Sequence, residues 1–352
     1  MRRRLERNGV FDQMNIIVDA FGGDHAPQAV IQGAAMAVQQ LGVEITLVGD
    51  EQIIRKTAEE QGTSLEQIRI LHTDEVFEMH EEPTSILKAH KNCSMAVGLR
   101  ALRDDQGDAF VSAGSTGALV VGATFLAKRS PGIKRAALAP LLPTAKGVSM
   151  LIDCGANADC RSEMLVQFAL MGSAYMKNVM GVENPAVGLV NIGSEDTKGR
   201  ELEIETYHRL QEAPVNFRGN LEAREIPGGE YDVIVTDGFT GNVILKLYEG
   251  MGSFFAHKLK DVFSGVSGKL SAALVLPRIK AFKKQMDYSE VGGAVLMGIA
   301  KPVIKAHGSS DARAFYNAIR QAKACADEKM IETLTASVAA LQAMEEKKIE
   351  RA

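Results

Sequence analysis

The sequence predicts an α/β fold in which a mainly parallel sheet is flanked by helices. Short β-rich runs alternate with longer stretches of helical periodicity. Several of these runs end in polar, glycine-rich segments that lead into the next helix, as ligand-binding strand ends do. The chain has 352 residues, 46% hydrophobic and 24% charged, enough apolar material for one large domain or two intimate lobes.

Strands are expected at 15–19, 44–48, 68–71, 109–112, 150–153, 186–190 and 231–236, each rich in branched apolar residues. Met14 directly precedes the first of them, so residues 1–13, with Arg2, Arg3, Arg4 and Arg7, read as an extension outside the fold; the alternative is a basic tether. The main α/β domain is expected over 14–325, followed by a helical tail over 326–352 that continues through Met330, Leu334, Val338 and Leu341 and ends in a charged run. The uncharged stretch 109–127 is about membrane length, but Gly114, Ser115, Thr116, Gly117 and Gly122 interrupt it, which suits strand, loop and helix rather than a span.

A net charge of −4 gives no general attraction to nucleic acid or lipid, so any anionic partner must meet a local basic patch. The four cysteines, Cys93, Cys154, Cys160 and Cys325, form no C-x-x-C pair, and with the seven histidines they show no metal-ligand spacing. Neither a metal nor a disulfide framework is expected, and a reducing cytoplasm is the default. No G-x-G-x-x-G follows a strand, no Walker lysine is present and no G-x-S-x-G elbow occurs. No cofactor is therefore expected.

The expected strand ends instead concentrate hydroxyls, carboxamides and glycines. They are 19–27, with Asp19, Gly23, Asp24 and His25; 112–117, with Gly114, Ser115 and Thr116; 153–157, ending at Asn157; 191–199, with Lys198; 237–242, with Asp237, Thr240 and Asn242; and 307–311, starting at His307. Each precedes a helical pattern whose free N-terminal amides can meet an anion. For one loop alone, turn glycines and capping side chains explain the composition equally well. Several such loops on one edge of a parallel sheet favour a phosphate or acyl phosphate site. Lys88 and Lys91, three apart on a helix expected to begin near Pro83, would share a face, as bare solvated lysines also do. His25 and His307 could donate to phosphate or relay a proton, or could bond a nearby carbonyl.

Between residues 254 and 285 lie seven basic residues, Lys258, Lys260, Lys269, Arg278, Lys280, Lys283 and Lys284, against the acidic Asp261. Apolar stripes at helical spacing, Met251, Phe255, Leu259 and Val262, then Val275, Ile279, Phe282 and Met286, flank a glycine turn and an apolar run with Leu270, Leu274 and Leu276. This reads as a protruding helical hairpin over about 248–287. Its stripes would pack at an interface with a second copy, its tip on a bilayer, and its basic surface on an acidic protein or lipid.

With these segments assembled, the sequence resembles the bacterial phosphate acyltransferases of the PlsX family. The resemblance lies in Val18-Asp-Ala-Phe-Gly-Gly-Asp-His-Ala-Pro27, Ser112-Ala-Gly-Ser-Thr-Gly-Ala118, Asp153-Cys-Gly-Ala-Asn157, Asn191-Ile-Gly-Ser-Glu-Asp-Thr-Lys-Gly199, Thr236-Asp-Gly-Phe-Thr-Gly-Asn242, Asp287-Tyr-Ser289 with Gly292-Gly-Ala294, and Pro302-Val-Ile-Lys-Ala-His-Gly308. Phe21 stands where methionine is common, and Ser115 where asparagine is common, which bears on how the G-x-x-G loop contacts its ligand.

The resemblance implies a fold similar to the isocitrate and isopropylmalate dehydrogenases and to phosphotransacetylase, in a homodimer peripherally associated with the inner face of the membrane. It implies transfer of a fatty acyl group from the thioester of acyl carrier protein to inorganic phosphate. The acyl phosphate would serve a membrane glycerol-3-phosphate acyltransferase. Lys198 and Asn242 would flank the reacting carbonyl, Asp237 and Thr240 would position their loop, and Ser115 and Thr116 would meet phosphate. His25 or His307 would relay a proton. A hydride-transferring dehydrogenase of the same fold is the enzymatic rival, separable by titration with NAD. A non-catalytic scaffold for carrier protein is the other, separable by binding without phosphate-dependent loss of thioester.

Overall fold

The structure, a computed structural model, describes residues 13–263, 292–327 and 330–349. The chain divides into two compact units: Met1–Pro131 with Gly292–Ile331, and Gly132–Val291 with Glu332–Ala352.

The first unit begins with β1 (Asn15–Asp19), buried along its whole length as a strand covered on both faces must be. Then come α1 (Gln28–Leu41), β2 (Glu44–Gly49), α2 (Glu51–Gln61), β3 (Ile68–His72), α3 (Ser94–Arg103), β4 (Ala109–Ser112) and α4 (Thr116–Gly122), which continues into a π-helical turn at Ala123–Lys128. After the excursion through the second unit, the chain adds two strands, Ala294–Met297 and Val303–Lys305, and a helix, Ala312–Asp327. Within this unit the strand order is β3, β2, β1, β4, Val303–Lys305, Ala294–Met297. All neighbours are parallel except the last pair.

Local chemistry sets the helix ends. Asp50 caps α2 by accepting from the amides of Gln52 and Ile53, and α1 and α2 both stop at left-handed glycines, Gly42 and Gly62. Gly33 of α1 lies so close to helix Ala312–Asp327 that a Cβ there would stand 2.6 Å from the Phe315 Cβ. Glycine is what lets these two helices pack at that distance.

The second unit holds β5 (Ala137–Ala139), β6 (Leu141–Thr144), β7 (Gly147–Ile152), α5 (Ser162–Asn178), β8 (Ala186–Asn191), α6 (Glu201–Glu212), β9 (Asn216–Glu222), β10 (Val233–Val235) and α7 (Gly238–Val262). Its five-stranded sheet runs β6, β7, β10, β8, β9, parallel except at the β6–β7 hairpin. A core of Leu142, Leu151, Cys154, Val190, Leu221, Ile226 and Ile234 lies against the inner face of α7, where Ile244, Leu245 and Tyr248 pack onto it. The outer face of α7 leaves Phe239, Val243, Leu247, Met251, Phe254, Phe255 and Val262 exposed.

The α/β class and its parallel strands are as the sequence predicts. Lys88 and Lys91 are a correction: they do not share a helical face. The helix expected from Pro83 is a short 3-10 turn, Pro83–Leu87, and Lys88 is its C-terminal cap at φ −131°, ψ −77°, outside helical geometry. Both lysines are exposed, and Lys91 offers its carbonyl to Arg100 at 2.5 Å. Lys269, Leu270, Leu274, Leu276, Arg278, Lys280, Lys283 and Lys284 of the expected hairpin lie outside the described residues; of its range, about 248–287, the structure describes the part up to residue 263, almost all of it in α7. No helix among the described residues is long and apolar enough to cross a membrane.

Candidate functional site

The parallel strands of each unit gather the candidate residues at their carboxyl ends. In the first unit, β1, β4 and Val303–Lys305 are neighbours, and the loops after them interlock. The Asp24 amide donates to the Gly308 carbonyl at 2.8 Å. A Cβ on Gly23 would stand 2.9 Å from that same carbonyl oxygen and 3.0 Å from Ala113. A Cβ on Gly22 would stand 2.6 Å from the Gly114 amide. Gly23 also has φ +101°, so glycine there answers both to conformation and to close approach. Phe21, in turn, lies over Gly49, where a Cβ would meet its ring at 2.3 Å.

Asp19 lies under these loops, 2% exposed. Its carboxylate accepts from Ser94 Oγ at 2.6 Å, Ser112 Oγ at 2.7 Å and the Phe21 amide at 3.2 Å. Ser112 Oγ also accepts from the Gly114 amide at 3.0 Å, so one chain of bonds runs from Asp19 to the G-x-x-G loop. Burial pushes the Asp19 pKa above its usual value, against the pull of the two serines. Asp19 is thus inside the scaffold of the loop rather than on its surface. Lys305, almost fully buried, donates to the carbonyls of Ala113 and Ala306 and ties the β4 loop to the one bearing His307.

Around them, Ser115 caps α4 by accepting from the Ala118 amide at 3.5 Å, and Thr116 is half-buried. His25, Asp24 and His307 are exposed, with His307 Nδ1 2.8 Å from Ser309 Oγ. Pro83 of the 3-10 turn packs on α4, where a Cβ on Gly117 would stand 2.7 Å from it.

In the second unit the neighbours β7, β10 and β8 bring together the loops bearing Asn157, Asp237 to Asn242, and Lys198. Asp153, directly after β7, is buried and accepts from the amides of Leu138 (2.8 Å), Ala156 (3.2 Å) and Asn157 (2.7 Å), and from Asn157 Nδ2 (2.9 Å). Burial raises its pKa although these donors oppose the rise. The first turn of α7 rests on this loop: the Gly238 amide donates to the Asn157 carbonyl at 2.8 Å, and a Cβ on Gly241 would fall 1.9 Å from the Asp153 carbonyl oxygen. Asn242 follows, its Nδ2 2.8 Å from where a Cβ on Gly155 would be.

Asp237 caps α7 through the Thr240 amide at 2.8 Å and also accepts from Thr240 Oγ1 at 2.8 Å. Burial would raise its pKa, but the Thr240 bonds and the Arg200 guanidinium outweigh it and hold the carboxyl below the usual range. Lys198 is exposed. Its carbonyl accepts from Asn191 Nδ2 at 2.9 Å, and its stem passes Gly193, where a Cβ would stand 3.1 Å from Lys198 Cγ.

This edge presents an ammonium, carboxamides and the N-terminus of a long helix, a set suited to an anion or a developing oxyanion. It offers no activated thiol, since burial pushes Cys160 up to about 12. Among the described residues no cluster of three or more His, Cys, Asp or Glu could hold a metal ion. Sequence reasoning missed Ser94, Lys305, Arg200 and Glu203 as parts of these clusters, and it read Asp153 as the first residue of the 153–157 strand-end segment without its anchoring role. The available signal was position: Asp153 ends a predicted strand, and Arg200 follows Gly199 directly.

Comparison with known proteins gives the chain's family and confirms its fold. The family model described as "Fatty acid synthesis protein" matches residues 14–333. The chain is 46% identical over 323 residues to "Phosphate acyltransferase" of Clostridium botulinum (strain Langeland), covering 91% of this chain and 96% of that one. It is 47% identical over 335 residues to the protein of that name from Oceanobacillus iheyensis, covering 95% and 100%. With the one from Bacillus licheniformis it shares 49% identity over 313 residues, covering 88% and 94%.

Among solved structures, a phosphotransacetylase from Streptococcus pyogenes superposes with a TM-score of 0.62 at 17% identity, covering 89% of this chain and 94% of that one. A 4-hydroxythreonine-4-phosphate dehydrogenase from Klebsiella pneumoniae reaches 0.52 at 12% identity, covering 90% and 100%. At such identities the likeness is one of fold, and it is the fold that the sequence resemblance implied. The interlocked strand-end loops and the match over 14–333 lead to one assignment: the chain belongs to the fatty acid synthesis protein family, in which its close relatives bear the name phosphate acyltransferase.

Proposed function

We propose that this protein transfers a long-chain fatty acyl group from the thioester of acyl carrier protein to inorganic phosphate, forming an acyl phosphate for phospholipid synthesis. The observation that carries the reading is the convergence, on adjacent parallel strand ends, of the Lys198 loop and the α7 turn bearing Asn242. The names of the relatives supply the reaction class.

In the proposed reaction a phosphate oxygen attacks the thioester carbonyl, the C–S bond breaks after a tetrahedral intermediate, and the thiol leaves as thiolate, which takes up a proton. The thiolate is a competent leaving group because an ordinary thiol has a pKa of about 8.5. Lys198 would meet phosphate or the oxyanion, and Asn242 would donate to the oxyanion, each interaction strengthening as charge develops. Asp237 and Thr240 hold the turn that carries Asn242. Gly114, Ser115 and Thr116 are the proposed phosphate contacts of the first unit, and His25 and His307 its relay candidates.

The exposed apolar stripe of α7 supports the homodimer in this reading, since such a stripe on a long helix seeks a partner face. Peripheral membrane contact and delivery to a membrane glycerol-3-phosphate acyltransferase complete it.

The test is to incubate the protein with palmitoyl carrier protein, with and without phosphate, and to measure free carrier thiol and palmitoyl phosphate. Both should form only with phosphate, and Lys198→Ala should lose most turnover while keeping its fold. Thioester that stays intact with phosphate present rejects the reaction; normal turnover by the variant removes Lys198 from it.

A further inference from the structure

Two loops would have to act in concert in the reaction proposed above, and one side chain joins them. Arg200 closes the loop that carries Lys198. Its Nη2 donates to Asp237 Oδ2 at 2.8 Å and also to Glu203 Oε1, while its Nε lies 3.1 Å from both Glu203 oxygens. The Arg200 amide donates to Glu203 Oε2 at 2.7 Å, which locks the start of α6.

The two carboxylates are fixed points. Asp237 is 4% exposed and held by Thr240 at the head of α7, and the Glu203 side chain is 10% exposed on α6. The guanidinium lies more than half in solvent, so the bridge would stabilise the fold only modestly. Its geometry counts for more. A planar fork that reaches both carboxylates at once sets the Lys198 loop, two residues away, against the helix turn that carries Asn242. Glu203 and then Asp237 raise the Arg200 pKa further above its usual value, so the fork keeps its charge.

We infer that Arg200 is a positioning residue for this reaction: it sets the spacing of Lys198 from Asn242 without touching substrate. The inference rests on the acyl transfer proposed above. A lysine at this position has one point of charge and serves only one of the two carboxylates well. Arg200→Lys and Arg200→Met should therefore both fold, and both should lower kcat by about ten- to a hundredfold, with KM for phosphate changed far less, because misplaced catalytic groups slow chemistry more than binding.

The experiment measures acyl phosphate formation by wild type, Arg200→Lys and Arg200→Met, with and without millimolar guanidinium. Hydrogen exchange of residues 191–199 and 238–242 is followed in the same samples. Expected are the kcat loss, partial recovery of Arg200→Met by guanidinium, and faster exchange in both segments together. A kcat within twofold of wild type would overturn the inference, as would a loss that guanidinium leaves unchanged in a folded variant. If wild type itself makes no acyl phosphate, the reaction assignment fails. The exchange data then decide separately, and loosening of only one segment rejects the link between the two loops.

Discussion

Ser112 Oγ donates to Asp19 Oδ2 at 2.7 Å, although the two residues lie 93 positions apart in the chain. The bond joins the ends of neighbouring parallel strands and passes through Ser112 to the Gly114 amide. Because burial raises the Asp19 pKa, the folded state takes up a proton more readily than the unfolded chain does. Asp19 therefore costs stability increasingly as pH rises above about 3.9, the unfolded value. Relative to Asp19→Asn, wild type should lose stability between acidic and neutral pH, while the variant loses activity through its disturbed loop. Denaturant melts of both proteins across that range check this, and a gap that does not change with pH would contradict it.

Asp237 has the opposite sign. Its carboxyl is held below the usual range, so its stabilisation is present above about pH 3.9 and is lost as pH falls through the folded value. Asp237→Asn keeps a competent helix cap but removes the charge facing Arg200. It should lower stability at neutral pH by about 1 kcal/mol or less, given the exposed guanidinium. The difference should vanish on acidification, as measured by urea unfolding at several pH values.

Gly155 guards Asn242. With φ +109° and only 2.8 Å between a would-be Cβ and Asn242 Nδ2, Gly155→Ala must both strain the backbone and push the carboxamide aside. We expect kcat to fall about tenfold or more with a stability loss of about 1 kcal/mol. Steady-state kinetics beside a thermal melt separates the two effects, and unaltered turnover would show that Asn242 does not need its present place.

Cys160 donates to the Asn157 carbonyl within the second cluster, and its thiol is pushed up to about 12. It should react with iodoacetamide far more slowly than a free thiol near about pH 8, because the thiolate is the nucleophile. Peptide mapping after timed alkylation measures this directly, and rapid labelling of the folded protein would refute the protected environment.

Much of the framework was legible in the chain. Five predicted strands, 15–19, 44–48, 68–71, 109–112 and 186–190, match β1 to β4 and β8 to within a residue at each end, because each is a short run rich in β-branched or other large apolar residues, whether buried throughout like β1 or partly exposed like β3. Of the strands that escaped notice, β6 and Ala294–Met297 are short buried apolar runs that periodicity alone does not separate from other core segments, and two others carry only a short or weak apolar signal. Val303–Lys305 is three residues long and follows a proline, and β9 reads Asn-Phe-Arg-Gly-Asn-Leu-Glu, mostly polar and partly exposed. The helix expected from near Pro83 through Lys88 and Lys91 failed because a proline start suits a short 3-10 turn as well as an α-helix, and the turn here stops at Leu87.

What the sequence determined by itself was the set of chemical groups: Lys198, Asn242, Asp237 and Thr240 in one series of loops, and Gly23, Gly114, Ser115 and Thr116 in another, each just past a strand. Those positions follow from local periodicity, which any window of the chain records. The tertiary structure alone decided that Asp19 is a buried anchor for Ser94 and Ser112 and that Arg200 spans Glu203 and Asp237. These pairings depend on which strands lie side by side, and strand order is set by the packing of the whole chain rather than by any segment of it.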